Sequence, residues 1–180
     1  MTTEELYEKI ISESKDIFLK KTIDYGTSWR VYRTISVADQ IYIKAKRIRT
    51  IQEKKRQKID DNIRSEFSGM LNYAIIGLIQ LEIDNDEVEQ LEPKEVEIYY
   101  DGISKKAKEL MLNKNHDYGE AWRDLSQESL VDLILAKILR IKQIIANEGK
   151  TVISEGIDAN FYDIINYSVF ALILIDENKH

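Results

Sequence analysis

Asp24-Tyr25-Gly26-Thr27-Ser28-Trp29-Arg30 and Asp117-Tyr118-Gly119-Glu120-Ala121-Trp122-Arg123 are the two stretches that decide the fold, because they are the same signature written twice, 93 residues apart. The likeness runs on beyond them. Ser36, Asp39, Ile41, Lys44, Arg47 and Ile48 meet Ser129, Asp132, Ile134, Lys137, Arg140 and Ile141, which makes 11 identities in the 25 positions from Asp24 to Ile48. Upstream, Tyr7, Ile10 and Lys21 meet Tyr100, Ile103 and Lys114; downstream, at an offset of 94, Phe67, Asn72, Tyr73, Leu78 and Ile79 meet Phe161, Asn166, Tyr167, Leu172 and Ile173. Self-similarity over a fixed period marks a repeated supersecondary unit.

Each unit reads as three helices. The first spans about 3–20, with Leu6, Ile10, Ile17 and Phe18 on one side. The signature follows as a loop. Ser36 suits an N-cap and Asp39 the positive helix end, which predicts a second helix from Ser36 to about Gln57 and a third from about Asp60 to Glu82. The second-half equivalents are about 93–113, 129–147 and 158–177, with Pro93 in a first turn, where proline is tolerated. The third helices are apolar nearly all round (Leu71–Ile79 and Ile164–Ile175), as buried helices are. The expected architecture is all-α: a helical bundle of two tandem three-helix repeats with pseudo-twofold symmetry, the third helices central. Repeat one covers 1–82, an acidic linker 83–92, and repeat two 93–180, packed as one domain. Asn72 and Asn166 then fall in the core and need partners, across the pseudo-axis or in the signature loops.

Composition narrows the function. A chain of 180 residues with 43% apolar and 32% charged residues is of globular type. It has no cysteine, hence no thiolate chemistry, and two histidines, His116 and His180, too few for a His-rich metal site. The acidic start and the shortness of the apolar runs argue against a signal peptide and a membrane span, so a cytoplasmic protein is expected. A net charge of −6 argues against general nucleic-acid binding. The charge is uneven, however: Lys44–Lys58 carries eight bases and one acid, Glu82–Glu97 eight acids and one base. The strip reads as a solvated helix end or as a receiver of phosphates.

The signature supplies what a nucleotide needs. Gly26 and Gly119 permit positive φ where the chain leaves a helix. Tyr25, Trp29, Tyr118 and Trp122 offer flat faces to a base. Arg30 and Arg123 offer a planar cation to phosphate. On the second helix, Lys44 and Arg47, and again Lys137 and Arg140, share a face three residues apart. The nucleotide-binding set is therefore Asp24, Tyr25, Trp29, Arg30, Lys44 and Arg47 with Tyr118, Gly119, Trp122, Arg123, Lys137 and Arg140. The opposing reading is structural: tryptophans plug the bundle end, aspartates cap amides, and a pair such as Asp117 with Arg140 holds the loop. The second half also carries His116 in place of Ile23 and Asp163 in place of Gly69. Asp117, Asp132 and Asp163 are the candidate catalytic acids, and His116, Asp117 and Asp163 the candidate ligands for Mg2+ or Mn2+, which favour oxygen donors. On this ground the second half is the expected seat of chemistry.

At Lys114-x-x-Asp117-Tyr118-Gly119-x-x-Trp122, Asp132-x-x-x-x-Lys137-x-x-Arg140 and Tyr162-Asp163-Ile164-Ile165-Asn166-Tyr167, with Asp24-Tyr25-Gly26, Lys44-x-x-Arg47 and Gly69-Met70-Leu71-Asn72-Tyr73 in the first half, the sequence resembles the nucleotide modification associated domain 1 family. More distantly it is similar to MazG-like all-α nucleoside-triphosphate pyrophosphatases, through Glu5-x-x-Glu8, Glu13-x-x-Asp16 and Glu155-x-x-Asp158, although its second and fifth helices carry no Glu-x-x-Glu. The resemblance implies a small-molecule nucleotide as partner, with metal-assisted hydrolysis or a part in nucleotide modification as the chemistry. The alternative is a non-catalytic helical protein-interaction module.

Overall fold

A computed structural model of the chain describes residues 1–54, 63–83, 90–152 and 154–179. The expected end of the second helix near Gln57, the start of the third at Asp60, the heart of the acidic linker, the tip of the basic strip and His180 lie outside the described residues.

Helix α1 (Thr3–Tyr25) opens with a capping box, in which the Glu5 amide donates to the Thr2 hydroxyl and the Thr2 amide to the Glu5 carboxylate. It runs five residues past the expected end at Lys20. Nothing in Lys21-Thr22-Ile23-Asp24-Tyr25 breaks a helix, and the stop comes at Gly26, whose φ of 62° and ψ of −144° suit glycine alone. A 3₁₀ turn (Ser28–Val31) leads into α2 (Thr34–Lys54), then α3 (Ile63–Glu82). The second half matches: α4 (Pro93–Tyr118) ends at Gly119 with φ 61°, a turn covers Ala121–Asp124, and α5 (Gln127–Ala146) and α6 (Ile157–Asp176) follow. The expected N-caps are displaced. Helix α2 begins ahead of Ser36, because the Arg33 carbonyl already accepts from the amides of Ser36 and Val37. In α5 the cap is Ser126, whose hydroxyl accepts from the Ser129 amide at 3.1 Å.

The described residues thus form an all-α bundle of six helices. Helices α3 and α6 pack on each other through the centre, flanked by α2 and α5, while α1 and α4 lie together across them. By length and composition α6 would cross a membrane, but 78% of that stretch is buried inside the protein, as befits a core helix.

Equivalent residues of the two halves bond to each other reciprocally. The Tyr7 hydroxyl donates to Asn166 Oδ1 at 2.7 Å, and the Tyr100 hydroxyl donates to Asn72 Oδ1 at 2.8 Å. Each asparagine spends its amide on the first helix of its own half, Asn166 on the Ala107 carbonyl and Asn72 on that of Ser14. The asparagines therefore do not pair with each other; they bolt α1 and α4 to the central helices. Lys15 bridges Glu97 and Asp101, and Lys108 bridges Glu4 and Glu8. Asp39 pairs with Lys142, and Asp132 with Arg49. In each of the three sets the second contact is the first shifted by the repeat offset, 93 residues, or 94 for the two asparagines. The pattern is consistent with a twofold relation between the halves.

Candidate functional site

Where α1 ends, the chain is pinned from two sides. Gln80 on α3 donates its amide to the carbonyls of Trp29, Arg30 and Tyr32, at 3.2, 3.0 and 2.8 Å, and its oxygen accepts from Arg30. Gln90 reaches back to accept from the Thr27 amide and hydroxyl, at 2.9 and 3.1 Å. A Cβ on Gly26 would stand 2.7 Å from Gln90 Oε1 and would displace that side chain, while the positive φ favours glycine there. Trp29 is thereby set beside Phe18, with ring centroids 6.3 Å apart.

Beneath this turn opens a cavity of about 520 Å³ bounded by the end of α1, the turn, α2 and α3. Trp29, Tyr25, Tyr32 and Tyr73 give it aromatic walls. Lys21 stands at its rim, exposed and without an ion-pair partner among the described residues. Lys44 crosses its floor over Gly69, with Nζ 3.5 Å from Glu66 and 5.9 Å from the centre of the Tyr73 ring. Arg47 holds the other oxygen of Glu66 at 2.7 Å. Burial, with Tyr32 alongside, pushes the Tyr73 hydroxyl above its ordinary pKa, so it remains a neutral donor.

The second half has the corresponding pocket, and every residue lining it is the repeat counterpart of one lining the first. Its volume is only about 130 Å³. Two side chains fill it. Asp163, where the first half has Gly69, places its carboxylate between Lys114 and Lys137, at 2.9 and 2.8 Å. Phe170, where the first half has Ile76, stacks on Trp122 with centroids 4.3 Å apart and planes within 6°. Burial works against the charge on Lys114, but the hydrogen bond and charge of Asp163 outweigh it and hold the pKa above the ordinary lysine value.

The residues singled out in the sequence scatter. Tyr25, Trp29 and Lys44 line the first cavity; Tyr118, Gly119 and Trp122 line the second, with Asp163 inside it and Lys137 bound to Asp163. Arg47 lies one layer behind, on Glu66. Arg30 is engaged by Gln80, and Arg123 by Glu120, Glu177 and Thr3, while lying 4.5 Å over Trp122. Asp24 is exposed at the end of α1. Asp132 is exposed on the α2–α5 seam. Arg140 is exposed and, with Lys137, borders an open depression of about 640 Å³ beside Asn147, Lys150, Thr151 and Glu155. His116 and Asp117 project into solvent, paired with each other at 3.2 Å, so the suggested Asp117–Arg140 pair does not form. Asp117, Asp132 and Asp163 do not converge, and among the described residues no three His, Asp or Glu side chains are placed to hold a metal. Glu5, Glu8, Glu13 and Asp16 serve the N-terminal cap and ion pairs with Lys108, Arg64 and Lys20. Lys21, Glu66, Gly69 and Tyr73 belong to the cavity but were not among the predicted site residues. The repeat identities Lys21/Lys114 and Tyr73/Tyr167 were the signal for two of them.

The described residues form a six-helix all-α bundle with an aromatic-walled, lysine-rimmed cavity. The chain belongs to the Nucleotide modification associated domain 1 family, which it matches over residues 21–81 and 114–175. The two matched stretches begin 93 and end 94 residues apart, the offsets of the internal repeat. No curated protein and no solved structure matches it, so the likeness to pyrophosphatases gains no support.

Proposed function

We propose that the protein is a cytoplasmic nucleotide-binding protein built of two tandem three-helix repeats (1–82 and 93–180), and that the cavity of the first repeat is its site. The observation that carries this reading is one enclosure of about 520 Å³ that combines Trp29, Tyr25 and Tyr73 with Lys21 and Lys44, in a family named for nucleotide modification. The volume lies within the range of small-molecule pockets. The aromatic faces would receive the base, and the lysines the phosphate, as charge-assisted donors.

The reading is one of binding. Among the described residues Glu66 is the lone acid lining the cavity, and it is already engaged by Lys44 and Arg47. Such a donor set does not suit a resident divalent ion, which calls for several oxygen ligands. Magnesium or manganese would arrive with the phosphates of the nucleotide. A hydrolytic role would require an acid that the cavity does not offer among the described residues.

The test is a thermal-shift and calorimetric panel of deoxynucleoside mono- and triphosphates, with and without Mg2+. A ligand of the native state raises the melting point. Binding of at least one nucleotide, weakened by Lys44→Ala, supports the proposal. A flat response across the panel overturns it and leaves the helical interaction module.

A further inference from the structure

The two pockets are one design in two states, and the filled one shows what the open one lacks. In the second half, a ring lies flat on the tryptophan and an anion lies between two lysines. Both belong to the chain: Phe170 on Trp122, and the Asp163 carboxylate between Lys114 and Lys137. They sit seven residues apart on α6, about 10 Å along the helix axis. In the first half the equivalent lysines, Lys21 and Lys44, and the equivalent tryptophan, Trp29, line the cavity. At the positions of the ring and the carboxylate stand Ile76 and Gly69. Glu66 does not substitute: it lies one turn earlier, is held by Arg47 at 2.7 Å, leaves Lys44 at 3.5 Å and makes no ion pair with Lys21.

We infer that Asp163 and Phe170 are a built-in replica of the ligand, that the second pocket is closed by its own chain, and that the first pocket alone takes one planar-ringed phosphate ester per chain, its anionic group seated between Lys21 and Lys44 above Gly69. The ligand's identity as a nucleotide rests on the proposed function; the seat of the anion does not. It follows from placing the Asp163 carboxylate at its repeat-equivalent position. Gly69 is then a specificity residue. Any acidic side chain there would compete with the ligand for both lysines, and a Cβ would already come within 3.0 Å of Lys44 Cε.

The experiment is calorimetry on the full chain with three probes: a deoxynucleoside monophosphate panel, inorganic tripolyphosphate and uncharged deoxynucleosides. Wild type is expected to bind one nucleotide per chain, with tripolyphosphate competing and nucleosides at least tenfold weaker. Gly69→Asp should weaken both anionic probes at least 100-fold and raise the melting temperature, because the new carboxylate ties down Lys21 and Lys44. Gly69→Asn, of nearly the same size, should weaken them less than Gly69→Asp does. Asp163→Gly/Phe170→Ile should gain a second site. If the double variant does not fold, the Gly69 pair decides alone. Nucleotide binding that Gly69→Asp leaves within threefold of wild type, or two sites in wild type, overturns this inference and leaves the proposed function standing. Tripolyphosphate bound and blocked by Gly69→Asp, with no nucleotide bound, upholds the anion seat and refutes the nucleotide. No binding by any probe to wild type overturns both.

Discussion

Replacing Tyr7 by phenylalanine removes one oxygen and tests how the halves are bolted together. The Tyr7 hydroxyl lies 2.7 Å from Asn166 Oδ1, with the residues 1% and 5% exposed. A buried hydrogen bond contributes about 1 kcal/mol net, but stranding its acceptor away from water costs about 1–3 kcal/mol. Both groups are almost fully buried, so the upper half of that range applies, about 2–3 kcal/mol. The repeat-related change, Tyr100→Phe, strands Asn72 Oδ1, but Asn72 is half-buried and lines the open cavity, where water replaces the lost donor. That cost stays near 1 kcal/mol. Urea unfolding followed by circular dichroism measures both, and a domain of this size shifts its melting point by about 2–4 °C per kcal/mol. Asn166→Leu added to Tyr7→Phe should recover part of the loss, since removing both partners leaves neither orphaned. Equal costs for the two tyrosines, or a larger cost for Tyr100, would refute the argument that the Tyr7 bond lies in the filled half and the Tyr100 bond beside the open cavity.

The same tyrosines govern alkaline stability. Burial holds the hydroxyls of Tyr7 and Tyr100 far above the ordinary value of 10.0. The folded state keeps those protons where the unfolded state releases them, so their contribution is intact below pH 10 and is lost as pH rises above it. Tyrosinate absorbance should show two residues ionising only together with unfolding. Gly77→Leu should cost about 1–3 kcal/mol in urea, by overpacking, because a Cβ there already stands 2.7 Å from the Phe161 ring. Gly26→Ala should cost about 1–3 kcal/mol for its backbone geometry, and more as Gln90 is displaced. Asp132→Ala should change stability by less than about 1 kcal/mol, as an exposed pair does, and leave nucleotide affinity untouched; a large loss of binding would return Asp132 to the site.

Much of the fold was legible because it is periodic and written twice. The all-round apolar character of α3 and α6 placed them at the centre, and the buried residues of α6 bear this out. The helix ends were less legible. Lys21-Thr22-Ile23-Asp24-Tyr25 reads as the start of a signature loop, yet a helix continues until something stops it, and only Gly26 does. The partners of Asp39 and Asp132 were hidden for a different reason. Within one helix Asp39 lies eight residues from Arg47, about 80° round, so spacing along the chain points to a local pairing. The bonds instead run across the bundle to Lys142 and from Arg49. Such pairs become visible only when the two halves are set face to face.

Of the cavity, the sequence showed the rings and one lysine but not the opening itself. Reading a sequence counts residues that are present, so the half with the additional His116 and Asp163 looked richer in chemistry. Space is made by residues that are small. Gly69 and Ile76 carry no signal of their own, and their meaning emerges only beside Asp163 and Phe170, whose side chains occupy the same places in the other half. A duplication that keeps both tryptophans and all four lysines while filling one pocket implies different demands on the two copies. The filled copy satisfies its own cations and stacks its own ring, and so contributes to the stability of the bundle. The open copy leaves Lys21 without an ion-pair partner among the described residues and Trp29 without a stacked ring, so both remain available to a ligand. That difference makes the first repeat, with fewer acidic residues near its signature, the better candidate for function.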